Sequence, residues 1–175
     1  VGLTLARLST ESANSARIVQ EFGVSALCNI AMKFPGVPGI SQPVSTAFQL
    51  LANQPTARVQ VVQEGCVTSL AQFLHTSEDP FTLQNSLYAL ANLLLESENH
   101  LPIVQQGLIL TLVNMSTNED DVLKDLCALA LFNLSCSEES RKHVVNAGAI
   151  SSLIALTSQN SPITKQRCAH ALCNV

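Results

Sequence analysis

The feature that most limits what this 175-residue chain can fold into is a repeat. Gly23, Gly65, Gly107 and Gly148 are spaced 42, 42 and 41 residues apart. The text around them recurs as Val61-Val62-Gln63-Glu64-Gly65, Ile103-Val104-Gln105-Gln106-Gly107 and Val144-Val145-Asn146-Ala147-Gly148. Each copy continues with apolar residues two and five places on: Val67 and Leu70, Ile109 and Leu112, Ile150 and Leu153. In the first copy, Ile18-Val19-Gln20-Glu21-Phe22-Gly23-Val24, the glycine has slipped one place and Phe22 stands where the others have Gly. A second block keeps the period: Ala89-Leu90-Ala91-Asn92-Leu93, Ala130-Leu131-Phe132-Asn133-Leu134 and Ala171-Leu172-Cys173-Asn174-Val175, with Leu50-Leu51-Ala52-Asn53 as a looser copy. Two unrelated blocks held in one phase are the signature of an array of stacked units.

Within a unit the pattern is helical. Leu87, Leu90 and Leu94, like Leu126, Ala130 and Leu134, follow i, i+3, i+4 spacing. Asp79-Pro80 and Ser161-Pro162 place a capping residue before a proline at the first helical position, and Asp120 falls at the matching place between them. The recurring glycine separates two apolar stretches, where a sharp turn is needed. The spacing therefore predicts a short first helix, a turn at Gly, a second helix, a polar loop and a longer third helix ending near the Asn. In the first copy Phe34-Pro35-Gly36-Val37-Pro38-Gly39 is an insertion of three or four residues. It predicts an exposed loop, a possible partner contact, before Pro43 opens a helix. No Lys-Ser or Lys-Thr follows its glycines, so it is not a phosphate loop.

A 41–42-residue unit reading V-V-x-x-G-A-I-x-x-L-I-x-L and then A-L-x-N-L-S resembles the armadillo repeat. The resemblance covers essentially the whole chain and is closest over Val144 to Leu156 and Ala169 to Asn174. It implies an all-α fold, a right-handed α-solenoid. The HEAT repeat, of similar length but without this Gly turn and this Asn, is the alternative. About four units are expected, at roughly 15–55, 56–96, 97–136 and 137–175. Residues 1–14 would be the tail of a preceding third helix, with Arg7 where Asn is usual. Neither end carries a polar cap, so a stretch of a longer array is expected.

The resemblance also implies where a partner would sit. Armadillo solenoids stack their third helices along a concave groove, and in several members the matching Asn side chains bond the backbone of an extended peptide. Here those residues are Asn53, Asn92, Asn133 and Asn174. An amide offers a donor and an acceptor to a peptide bond. The same amide can instead tie neighbouring helices together, and both roles are open. Four residues earlier stand Gln49, Tyr88, Leu129 and His170. Import receptors of this family carry Trp there, with acidic residues nearby, to hold basic signals. This chain has no Trp and only Asp125 close by, which disfavours such signals. Tyr88 can stack on a ligand or be partly buried. The polar third-helix positions Gln84, Asn85, Asp125, Gln166 and Arg167 complete the expected partner-binding face.

Composition narrows the partners. Lys plus Arg is 9 against 13 Asp plus Glu, a net charge of −4, and no basic cluster exceeds Arg141-Lys142-His143. Phosphate neutralisation by clustered cations is absent, which excludes nucleic acid as the expected partner. No stretch approaches the ~18 apolar residues of a membrane span. Charged residues make up 13% of the chain, about half the usual ~25%. Missing neighbours, flanking repeats or partner proteins, would account for that deficit.

Six cysteines, Cys28, Cys66, Cys127, Cys136, Cys168 and Cys173, form no C-x-x-C, so buried free thiols in a reducing compartment are expected. Cys127 and Cys168 share a register with Ser86, which reads as close helix packing. His75, His100, His143 and His170 lie in separate elements, and no metal or other cofactor is expected. No G-x-S-x-G, H-E-x-x-H or dinucleotide fingerprint occurs, so no catalytic residue and no small-molecule substrate are expected. The expected function is a non-catalytic, cytoplasmic protein-interaction scaffold, binding an extended peptide on the groove. One alternative is a structural component of a large cytoskeletal or axonemal assembly, since Cys168-Ala169-His170-Ala171-Leu172-Cys173-Asn174 resembles armadillo proteins of flagellated and ciliated protists. Another is a regulatory segment fused to a catalytic domain elsewhere.

Overall fold

The structure, a computed structural model, describes residues 12–34 and 36–175, together with Thr4, Arg7 and Leu8. Most of the expected preceding helix over residues 1–14, and Pro35 of the expected loop, lie outside the described residues. Among the described residues every regular element is helical. The chain forms two compact units, Val1–Asn99 and His100–Val175.

The first unit runs α1 (Ser12–Gln20), α2 (Gly23–Lys33), α3 (Pro38–Ala52), α4 (Arg58–Gln63), α5 (Cys66–Thr76) and α6 (Pro80–Leu93), with single 3₁₀ turns at Pro55–Ala57 and Ser97–Asn99. The second runs α7 (His100–Gln105), α8 (Leu108–Met115), α9 (Asp121–Ser135), α10 (Glu138–Asn146), α11 (Ala149–Leu156) and α12 (Pro162–Asn174). Two shorter helices followed by a longer third recur as the text repeat predicts.

The capping residues act as expected. The Asp79 carboxylate accepts the Thr82 backbone N–H at 2.8 Å, Asp120 accepts that of Val122 at 2.7 Å, and Ser161 Oγ accepts that of Thr164 at 3.2 Å. Each cap contributes about 1 kcal/mol. The turn before each second helix is left-handed: Gly65 has φ 92°, Gly107 75° and Gly148 77°. In the first copy Phe22, at φ 58°, holds the left-handed position itself. Gly23 is required for space instead, because a Cβ there would stand 2.5 Å from Ile18 Cγ2 and 2.8 Å from the Ile18 carbonyl oxygen. The slip seen in the text is thus a division of labour between two residues.

One expectation is corrected. The helix expected to open at Pro43 opens at Pro38, and Pro43 lies inside α3. Pro38 takes the first helical position, where its missing N–H costs nothing. The backbone N–H groups of Ile40 and Ser41 both bond Val37 O at 2.8 Å, closing the first turn upstream of Pro43.

Apolar faces meet inside each unit. Val24, Leu27, Phe48, Leu51, Leu70, Phe73, Leu87 and Leu90 are fully buried in the first, and Ile103, Leu108, Leu112, Leu131, Leu134 and Leu153 in the second. Each such side chain contributes about 1.5–3 kcal/mol relative to exposure. Ser86, Cys127 and Cys168, at one register, are all fully buried. A small side chain there lets helices approach closely.

Candidate functional site

The long helices carry the expected site residues, and side-chain hydrogen bonds join each long helix to the next within its unit. In the first unit α3 and α6 are linked at four levels. Gln42 Nε2 donates to Asp79 Oδ1 at 3.1 Å, and the Ser41 and Thr82 hydroxyls bond each other at 3.3 Å, Thr82 accepting because its own proton goes to Asp79 Oδ2. Asn85 Nδ2 donates to Thr46 Oγ1 at 3.0 Å, and Asn92 Nδ2 to Asn53 Oδ1 at 2.6 Å. Thr46, Gln49 and Asn53 sit at i, i+3, i+7 on α3 and just past its end; Asn85, Tyr88 and Asn92 repeat that spacing on α6. Such spacing puts each trio on one helix face. The outer members of the two trios are bonded across, with Gln49 and Tyr88 between them.

This face is partly open. Asn53 and Tyr88 are exposed, Tyr88 at 43%, while Gln49, Gln84, Asn85 and Asn92 are half-buried. The 2.6 Å bond uses one Asn92 N–H and one lone pair of Asn53. It leaves the Asn53 amide N–H groups and the Asn92 carbonyl, a donor and an acceptor side by side. That is the pair a peptide bond requires.

In the second unit the register is kept and the chemistry changes. Asp125 Oδ1 accepts from Arg167 Nη1 at 2.6 Å and from Thr164 Oγ1 at 2.8 Å. The acidic group in the expected groove is therefore already paired. Asn174 Nδ2 donates to Ser135 Oγ at 3.0 Å. Asn133 is buried, 6% exposed, and is not free. Leu129 is half-buried, Gln166 and His170 are exposed, and the His170 ring centroid lies 5.9 Å from that of Phe132. Asn92 and Asn174 thus tie helices together, while part of each amide's capacity remains.

Two arginines escaped the sequence reading. Arg58 Nε donates to Ala52 O and Arg141 Nε to Ser135 O, each at 2.9 Å and each six residues back. Both close the last turn of a preceding long helix, where carbonyls lack partners. Arg58 also bonds Glu96 at 2.8 Å. Their separation of 83 residues, two periods, was the available signal.

Burial sets the thiol chemistry. It raises Cys127 to about 12. It raises Cys168 to about 11, with Asp125 adding and Arg167 opposing. Cys136 and Cys173 are exposed. Among the described residues no group of His, Cys, Asp and Glu is placed to hold a metal ion. No helix among them is long and apolar enough to cross a membrane.

The sequence matches no family model and no curated protein. Its fold is similar to that of solved structures along nearly its whole length. A set of computationally designed armadillo repeat proteins for modular peptide recognition matches with TM-score 0.90 at 16% identity, over 99% of this chain and 74% of that one. A designed armadillo repeat protein in complex with the peptide (KR)4 matches with TM-score 0.88 at 15% identity, over 98% of this chain and 72% of that one. An engineered protein matches with TM-score 0.87 at 25% identity, over 99% and 70%.

Proposed function

The chain has the armadillo-repeat fold, and from that premise we propose that it is a non-catalytic protein-interaction scaffold whose partner docks on the long-helix face. The observation that carries this reading is the pair Asn53–Asn92, which keeps a spare donor and a spare acceptor together on an exposed face. Designed proteins of the same fold are described as recognising peptides. Backbone recognition by an amide pair suits an extended segment, because such a segment's N–H and C=O groups are not consumed by secondary structure.

Site-specific photocrosslinking in native extract tests the proposal. A photoreactive residue at Gln49 should capture a discrete partner, and one at Leu110, which is 57% exposed on α8, should not. Capture from Leu110 alone would move the docking face elsewhere. Capture of several neighbours from both positions would favour a place in a cytoskeletal or axonemal assembly.

A further inference from the structure

The α3 and α6 face carries a second message in its charge map. No Asp, Glu, Lys or Arg occurs between Lys33 and Arg58, nor between Asp79 and Glu96. Both helices, fifteen and fourteen residues long, therefore lack ionised side chains altogether. Of the charges flanking them, Lys33 and Glu78 stand at the N-terminal ends, Glu78 about three helical turns before Tyr88, and the nearer ones are paired. Asp79 is held by Thr82 and Gln42 at the N-terminal end of α6. Arg58 and Glu96 pair with each other at 2.8 Å beyond the C-terminal end. What the face offers is the Asn53 N–H groups, the Asn92 carbonyl, the Gln49 amide and the exposed Tyr88 ring with its hydroxyl.

We propose that the segment this face takes is an extended peptide with no charge cluster, its backbone held by Asn53 and Asn92 and an apolar side chain resting on Tyr88. The inference rests on the docking face proposed above and names the class of ligand. A charged side chain brought here loses hydration and meets no opposite charge, so it is selected against. An apolar side chain loses nothing and covers the Tyr88 ring. Residues 88 and 92 are about 6 Å apart along the axis of α6, one helical turn. An extended chain places consecutive same-side residues about 6.6 Å apart. One peptide bond on the Asn pair and one flanking side chain on Tyr88 thus fit a single short stretch.

Panning a phage-displayed random octapeptide library against the whole chain, in parallel with its Asn92→Ala and Asn53→Ala variants, tests this. Peptides retained by the parent and lost by either variant are expected to be poor in Lys, Arg, Asp and Glu and to contain an apolar or aromatic residue. Because no ion pair forms, their affinity should change less than about twofold between low and high salt. Tyr88→Ala should weaken them about tenfold, an aromatic contact's usual range, and Tyr88→Phe much less. Asn-dependent peptides rich in Lys and Arg, with affinity falling tenfold or more in salt, would overturn the ligand class and leave the docking face standing. If all three proteins, each shown by circular dichroism to be folded at the panning temperature, retain the same peptides or none, the docking face itself is wrong.

Discussion

The side-chain amide of Asn92 donates to the side-chain carbonyl of Asn53 at 2.6 Å, so one residue of the text repeat is bonded to its own counterpart one repeat away. The bond belongs to stability as much as to recognition. A neutral, half-exposed hydrogen bond contributes about 1 kcal/mol. Asn92→Ala and Asn53→Ala should each lower stability by about that amount, and the double variant by less than the sum, since either change removes the same bond. Urea midpoints of the three variants measure the coupling. Full additivity would mean that the two amides do not interact in solution.

Asp79 predicts an acid-sensitive helix start. Burial alone would raise its carboxyl, but bonds from the Thr82 hydroxyl, the Thr82 backbone N–H and Gln42 together outweigh that effect and hold it below its ordinary value. A carboxyl depressed by folding adds stability at neutral pH, and that stability is lost as pH falls through the folded value. Asp79→Asn keeps the capping oxygen while removing the titration. The variant should therefore show a shallower fall in melting temperature below about pH 4 than the parent. Parallel acid limbs would show that Asp79 does not contribute.

Phe22 and Gly23 should respond in opposite directions. A side chain in the left-handed region costs about 1–2 kcal/mol, and the Phe22 ring is 70% exposed, so little burial is lost without it. Phe22→Gly relieves the backbone but loosens the unfolded chain by about 0.4–1 kcal/mol, leaving a gain of at most about 1 kcal/mol. Gly23→Ala pushes a methyl against Ile18, including its backbone oxygen. That overpacking should cost about 1–3 kcal/mol. Chemical denaturation of both variants compares the signs, and a stabilising Gly23→Ala would refute the close approach.

Pro43 marks a place where α3 is weaker than it needs to be. At the sixth residue of α3 it removes the N–H that would bond Gly39 O. An interior proline costs up to about 3 kcal/mol, of which stiffening of the unfolded chain returns about 1. Pro43→Ala should therefore raise stability by about 1–2 kcal/mol. An unchanged denaturation midpoint would place Pro43 outside the hydrogen-bonded part of the helix.

What the sequence makes legible is local. Asp79, Asp120 and Ser161 announce helix starts because capping acts within three residues. Gly65, Gly107 and Gly148 announce turns because one backbone conformation needs them. Two prolines near one helix start hid the true opening of α3, since either Pro38 or Pro43 satisfies the rule for a first position. The pairing of Asp125 with Arg167 and of Asn85 with Thr46 was hidden for another reason. Those bonds span 42 and 39 residues and depend on which rotamer each side chain takes once the helices have packed. The uncharged run on α3 and α6 could be counted in the text, yet it acquired meaning only when the two helices lay side by side.

The six thiols report on that packing directly. Cys136 and Cys173 are exposed, Cys28 is half-buried, and Cys66, Cys127 and Cys168 are enclosed. Burial raises Cys28 and pushes Cys66 well up. With Cys127 at about 12 and Cys168 at about 11, almost none of either is thiolate near neutral pH. Thiolate is the reactive form, and reagent must also reach the sulfur. A disulfide reagent added to the native chain near neutral pH should therefore titrate two thiols quickly and Cys28 more slowly. The remaining three should react only as fast as the chain opens, and all six at once in strong denaturant. Mass spectrometry of the labelled peptides assigns each rate to its cysteine. Native labelling of Cys127 or Cys168 as fast as Cys173 would mean that the small-residue register does not bring the long helices into close contact.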